Sequence, residues 1–140
     1  MIKPITKEQN LKIQPVCRQY NVAMLVLFGS YTSDASHDRS DVDLAVLPDI
    51  DESVSKLHLI QELEPIFDNR HIDLVVITKS IEPLLLFEIF SSGQLLYECT
   101  DGLFENYRLK AWHLYQDTIS IRCLEKAFNE ERIRELSHVI

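Results

Sequence analysis

Six consecutive residues, Ala23-Met-Leu-Val-Leu-Phe28, carry no polar side chain, and the run stops abruptly at Gly29-Ser30. At this length the run reads as a strand buried on both faces. Ten intervening residues later, Asp41-Val-Asp-Leu-Ala-Val46 opens a second apolar run. Its alternation predicts a strand with Asp41 and Asp43 on one face and Val42, Leu44 and Val46 on the other. A third run, His71-Ile-Asp-Leu-Val-Val-Ile77, holds Asp73 where plain core would otherwise stand.

The rest of the chain supplies helices to cover these strands. Thr6-Lys-Glu-Gln9 has the form of a capping box. It predicts a helix to about Tyr20 with Leu11, Val16, Cys17 and Tyr20 inward. Pro15 either kinks that helix or starts it. Pro48 to Asp51 reads as a loop ending in an N-cap, followed by a helix over Glu52 to Phe67 with Val54, Leu57, Ile60 and Leu63 inward. Asn69-Arg70 makes a turn into the strand Ile72 to Ile77. Ser80 is a candidate cap for the next helix, with Pro83 in its first turn. Its core, Leu84-Leu-Leu-Phe-Glu-Ile-Phe90, is apolar nearly all round, so it is either deeply buried or covered by another chain. Gly93 closes it, and Gln94 to Glu98 reads as a short edge strand.

From Asp101 onward the pattern is helical, with stripes Leu103, Tyr107, Ala111, Leu114, then Ile121, Leu124, Phe128, then Ile133, Leu136, Ile140. Asp117-Thr118 is a candidate break between two helices. Strands alternating with helices give an α/β (α+β) fold, a small mixed β-sheet with helices packed on it and a helical C-terminus. There is no internal repeat or linker, so residues 1–140 are read as one domain.

The acidic residues need an explanation. Asp41 and Asp43 on one strand face are expected within about 5 Å of each other, and at an effective dielectric of about 20 their repulsion is roughly 3 kcal/mol. Arg39 is the obvious basic neighbour. A strand carrying such a pair calls for a cation, and carboxylate oxygens suit a hard divalent ion, Mg²⁺ above all. The histidines are scattered without the spacing of a zinc site. Asp73, brought alongside, would complete a three-carboxylate site able to hold two ions in the arrangement used for nucleotidyl transfer. Gly29 lets backbone approach a phosphate, and Ser30, opening a helical turn, offers N–H and hydroxyl donors to it. Asp-x-Asp alone is usually a solvated strand end, and Gly-Ser alone usually a turn. The ordered set is far more specific.

Composition narrows the partners. A net charge of -8 argues against direct nucleic-acid binding through a basic surface. Three cysteines, Cys17, Cys99 and Cys123, with no C-x-x-C pair fit reduced thiols. With no basic-then-apolar leader and no run of membrane-spanning length, a cytoplasmic location and no membrane partner are expected.

At Gly29-Ser30, Asp41, Asp43 and Asp73 the chain resembles the nucleotidyltransferase superfamily of DNA polymerase β, marked by G-S-x(10)-D-x-D and a third acidic residue. Its small size makes it similar to the minimal nucleotidyltransferases (MNT), commonly antitoxins paired with HEPN-domain RNase toxins. The resemblance covers roughly Ala23 to Tyr97. It implies a polymerase β-like fold, Gly29 and Ser30 on the nucleotide phosphates, and Asp41 and Asp43 holding two Mg²⁺ ions. It also implies Asp73 on the acceptor-hydroxyl ion, and transfer of AMP from ATP to a tyrosine of the toxin. Many relatives continue Gly-Ser as Ala-Arg-Gly. Here Tyr31-Thr-Ser33-Asp34 follows, so phosphate neutralisation falls to Arg39, another residue or the partner.

His37, Asp38 and Arg39 read as a solvated loop or a lid over the site, and His71 as a turn residue. Tyr107, Trp112 and Tyr115 are core or interface aromatics. The Leu84–Phe90 helix and residues 101–140 are the candidate partner surface. Two rival functions are an antitoxin that only covers its toxin and a transferase acting on a small molecule such as an aminoglycoside.

Overall fold

The computed structural model describes residues 5–29, 41–49 and 55–138. Helix α1 (Lys7–Gln19) leads into strand β1 (Val22–Phe28), followed by β2 (Val42–Pro48), helix α2 (Lys56–Leu63) and β3 (Ile72–Val76). Helix α3 (Pro83–Ser92), strand β4 (Gln94–Glu98) and helix α4 (Leu103–His138) complete the described elements. The sheet runs in the order β3-β2-β1-β4. β1 is antiparallel to both β2 and β4, whereas β2 and β3 are parallel. The mixed sheet with helices packed on it, and the helical C-terminus, are as the sequence predicts.

The two faces of the sheet have separate cores. On one, Leu25 and Leu27 of β1, Val42, Leu44 and Val46 of β2, and Ile72 and Leu74 of β3 pack with Ile13, Cys17, Leu59, Leu63 and Phe67. On the other, Met24, Val26, Phe28 and Ala45 pack with Leu86, Ile89, Phe90, Phe104 and Ala111 of α3 and α4. Every residue of β1 is buried, as its unbroken apolar run requires. Each large aliphatic or aromatic side chain so covered contributes about 1.5–3 kcal/mol.

The capping box of α1 is complete. Gln9 N donates to Thr6 Oγ1 at 3.1 Å and Thr6 N donates to Gln9 Oε1 at 3.0 Å. The same Gln9 donates from Nε2 to the Ile66 carbonyl at 3.0 Å, tying α1 to the 3-10 turn after α2. Pro15 lies inside α1 without ending it. An interior proline costs about 3 kcal/mol, and the fully buried Ile13 and Cys17 on either side of it offset that cost. Leu11 was expected inward but is exposed, because Ile13 and Cys17, four apart, set the buried stripe.

Other boundaries shift for local reasons. α2 begins after Ser55, whose hydroxyl lies 3.0 Å from His58 Nδ1. It tightens into a 3-10 turn at Glu64–Phe67, where Pro65 cannot donate the next helical bond. Leu59 and Leu63 are its buried residues, and Leu57 faces solvent. The expected cap Asp51 and core residue Val54 lie outside the described residues. α3 starts at Pro83 with Glu82 as its N-cap, not at Ser80, since the residue before proline is held extended. α4 runs unbroken through Asp117-Thr118, where the Thr118 hydroxyl donates back to the Leu114 carbonyl at 2.9 Å and takes no part in a cap. Its N-terminus is anchored by Glu98 of β4, whose carboxylate accepts from Phe104 N at 2.9 Å and Gly102 N at 3.3 Å.

α3 is clamped between sheet and α4. Phe87 stacks on Tyr115 with centroids 4.0 Å apart, and Arg108 Nε donates to the Phe90 carbonyl at 3.0 Å. At the α3–β4 junction any Cβ on Gly93 would collide with the Ile89 carbonyl and come within 2.6 Å of Val26 Cγ1. No helix among the described residues is long and apolar enough to cross a membrane.

Burial also sorts the thiols. Cys17 is fully buried and its pKa is pushed up to about 12 by that burial, whereas Cys99 and Cys123 are exposed. Iodoacetamide at pH 8 is therefore expected to add two groups to the native protein and a third only on unfolding, read by intact mass. Three rapid additions would contradict the packing of α1.

Candidate functional site

The register of the sheet brings the acidic residues to one end. Asp43 is the pairing partner of Asp73 across the parallel β2–β3 ladder, and of Phe28, the last residue of β1, across the antiparallel one. Parallel partners point to the same face, here the face covered by α3 and α4, since Asp43 alternates with Ala45 of that core. Asp41 precedes β2 by one residue. Val42 N donates to the His71 carbonyl at 2.9 Å, which fixes the β2 and β3 starts side by side.

Gly29 turns the chain directly over this end. Its φ is +77°, a conformation that side-chain-bearing residues rarely adopt. The space a Cβ would take is already filled by the Asp43 carboxylate. Backbone and carboxylate are therefore in contact through the missing side chain.

Charge follows from this geometry. Asp43 is half-buried, while Asp41 and Asp73 are exposed. Burial holds the Asp43 carboxyl above its usual range, and the negative charges of Asp73, Asp41 and Glu88 push it further the same way. Glu88 was not singled out from sequence. It is the one polar residue in the apolar run Leu84–Phe90, and that interruption is the signal that marks it. Ser30 and Arg39, the other residues expected at the site, lie outside the described residues, as do His37 and Asp38. His71 is an exposed residue at the start of β3, as a turn residue would be.

The donor set has the chemistry for a hard divalent cation: carboxylate oxygens, one of them half-buried and pressed on by three acidic neighbours. Among the described residues no group of three or more acidic, histidine or cysteine side chains is drawn together into a ready-made cage. The three-carboxylate cluster expected from the sequence is therefore seen only in part: Asp43 and Asp73 stand in register, and Asp41 precedes β2 by one residue. A cavity of about 480 Å³ lined by Leu47, Ile77, Lys79, Tyr107 and Lys110 lies at the far end of β2. Asp43 and Leu47 are four strand residues apart, about 13 Å, so this cavity is distinct from the acidic site.

A family model described as polymerase beta nucleotidyltransferase matches residues 11–101. Among solved structures, a chain of a toxin–antitoxin complex with AMP-PNP is 26% identical, with a TM-score of 0.66 over 84% of this chain and 95% of that one. A chain from a complex of the tri-AMPylated Shewanella oneidensis HEPN toxin with its MNT antitoxin is 25% identical, with a TM-score of 0.62 over 86% and 95%. Spectinomycin adenyltransferase AAD(9) from Enterococcus faecialis, with ATP and spectinomycin, shares the fold at 19% identity and a TM-score of 0.50, over 73% and 59%. No curated protein matches the sequence significantly.

Proposed function

The chain belongs to the polymerase β nucleotidyltransferase family, and on that footing we propose that it is the cytoplasmic antitoxin of a toxin–antitoxin pair. It transfers AMP from ATP to a tyrosine hydroxyl of a cognate HEPN RNase toxin. The observation that carries the reading is the Gly29 backbone turned onto Asp43, with Asp73 in register beside it. The likeness to chains from a toxin–antitoxin complex with AMP-PNP and from a complex with an AMPylated toxin supports the choice of donor and partner.

In this reading the tyrosine oxygen forms a bond to the α-phosphorus of ATP, the bond from that phosphorus to the bridging oxygen breaks, and pyrophosphate leaves. Asp73 accepts the hydroxyl proton or orients the hydroxyl for its loss. Asp41 and Asp43, with Asp73, would hold Mg²⁺, which when bound neutralises triphosphate charge and lowers the pKa of the acceptor hydroxyl. Gly29 and Ser30 present backbone and hydroxyl donors to the phosphates, and Arg39 supplies the positive charge that Tyr31-Thr-Ser33 does not.

Incubation with Mg²⁺, labelled ATP and the toxin is expected to add mass to the toxin in units of AMP. Asp41→Ala combined with Asp43→Ala is expected to abolish the labelling. If the double variant still neutralises the toxin as well as the wild type, the protein acts by covering its partner and the transfer reading is wrong. A small-molecule acceptor is less favoured, because the likeness to the spectinomycin enzyme, at 19% identity, is one of fold alone.

A further inference from the structure

We propose that the cavity at the carboxyl ends of β2 and β3 is a second ligand site, which takes a small amphipathic anion: an apolar body with one carboxylate or phosphate head. The two strands are parallel and finish side by side, so Leu47 and Pro48 of β2 line the same cavity as Ile77, Thr78 and Lys79 just beyond β3. The crevice outside the carboxyl ends of parallel strands is the usual ligand position in open sheets with helices packed on them. Asp43 and Asp73 stand at the opposite, amino ends of the same strands.

The walls call for an apolar body. The volume, about 480 Å³, is that of a small-molecule site. Leu47, Ile77, Leu86, Tyr107 and Leu114 supply apolar surface to it. Ile77 and Leu86 are buried members of the core, and Tyr107 stacks on Phe90 with centroids 5.7 Å apart. This side of the cavity is therefore built before anything binds. Water there forfeits hydrogen bonds toward those residues, so an apolar group that displaces it gains.

The head group is set by the lysines. Lys79 follows β3 and Lys110 lies on α4, yet both line the one cavity. Lys110 Nζ stands 5.5 Å from the Tyr107 ring centroid, against the apolar wall. Among the described residues neither ammonium forms an ion pair with a carboxylate. Asp49 is the acidic residue among those described in the lining, so lysine outnumbers it two to one in a chain whose net charge is -8. Thr78 adds a hydroxyl donor. Lysine is a compact charge without the planar fork of arginine, so carboxylate and phosphate heads both suit it, and a cation is repelled.

Isothermal titration of the purified full chain with phenylbutyrate and with phenylbutyl phosphate is expected to show saturable binding at one site, and the tighter of the two names the head. Neutral phenylbutanol and inorganic phosphate each lack one half of the ligand, and are expected to bind about tenfold more weakly or not at all. Lys79→Gln with Lys110→Gln is expected to cost the same factor with unchanged circular dichroism, since both residues are exposed. Bound phenylbutyrate is also expected to slow acetylation of Lys79 and Lys110 by N-hydroxysuccinimide acetate, read by peptide mass, and to leave Lys12 and Lys56 unaffected. That protection separates the cavity from the exposed apolar side chains elsewhere on α4. The proposal is overturned by absence of saturable binding of either anion below about 1 mM, by equal affinity for the alcohol, or by binding that leaves Lys79 and Lys110 unprotected. Displacement of phenylbutyrate by AMP-PNP also overturns it, by making the cavity part of the nucleotide site. No readout depends on AMP transfer, so failure here leaves the reading of the acidic site untouched.

Discussion

Asp43→Asn is expected to abolish nucleotidyl transfer and at the same time to raise the melting temperature of the metal-free protein. The first effect follows from the position of this carboxylate at the meeting point of β1, β2 and β3, under the Gly29 backbone. Loss of a group that stabilises charge in a transition state costs about a hundredfold to a thousandfold in rate, and in the proposed reading, where Asp43 would ligate Mg²⁺, the loss sits at the upper end. The second effect follows from electrostatics. Burial and three acidic neighbours raise the Asp43 pKa in the folded chain. A carboxyl with a folded pKa above its unfolded value favours folding fully only below the unfolded value, and that contribution is lost as pH rises through the folded value. The variant should therefore melt higher than the wild type at pH 7, with the difference closing as pH falls below the ordinary aspartate value of 3.8. Added Mg²⁺ should raise the melting temperature of the wild type, as any ligand of the native state does, and do less for the variant. Equal melting curves at pH 7, or equal response to Mg²⁺, would remove the cation site from the account.

Gly29→Ala carries the other large expectation. The backbone there has φ +77°, and the added methyl would occupy the position of the Asp43 carboxylate. The conformation alone costs about 1–2 kcal/mol in a residue with a Cβ. The collision must then be relieved by moving the turn or the carboxylate, and a displacement of about 1 Å at a reacting centre can cost a hundredfold in rate. Transfer is expected to fall by at least that factor with a melting temperature lowered only modestly. A fully active alanine variant would mean that the turn does not hold the substrate. Unlike Asp43→Asn, this change leaves all carboxylates in place, so the two variants separate the contribution of charge from that of position.

Much of this was readable before any coordinates. The unbroken apolar run of β1 announced a central strand, and the alternation in β2 announced which face the acids share, because a period of two leaves little freedom. Sheet order was not readable: nothing in residues 42–48 or 72–76 states that they run parallel, and that pairing is what sets Asp73 beside Asp43. Helix faces were less legible. Leu11 and Leu57 are as hydrophobic as their neighbours, and only the location of the surrounding elements decides which side is covered. Glu88 is marked in the sequence as a break in an apolar run, but what the break is for depends on Asp43, a neighbour distant in sequence. The continuity of α4 through the candidate break at Asp117-Thr118 is not legible either, because local propensity is weak and a hydroxyl bonded back to its own helix leaves no trace in the letters.

The glycine between α3 and β4 has one more implication. With Ile89 and Val26 closed around Gly93, the helix bearing Glu88 is geared to the strand that delivers Gly29, and neither can slide without the other. The electric field at the mouth of the sheet is thus preset by the scaffold, ready before any nucleotide arrives, and widening Gly93 should detune it from a distance.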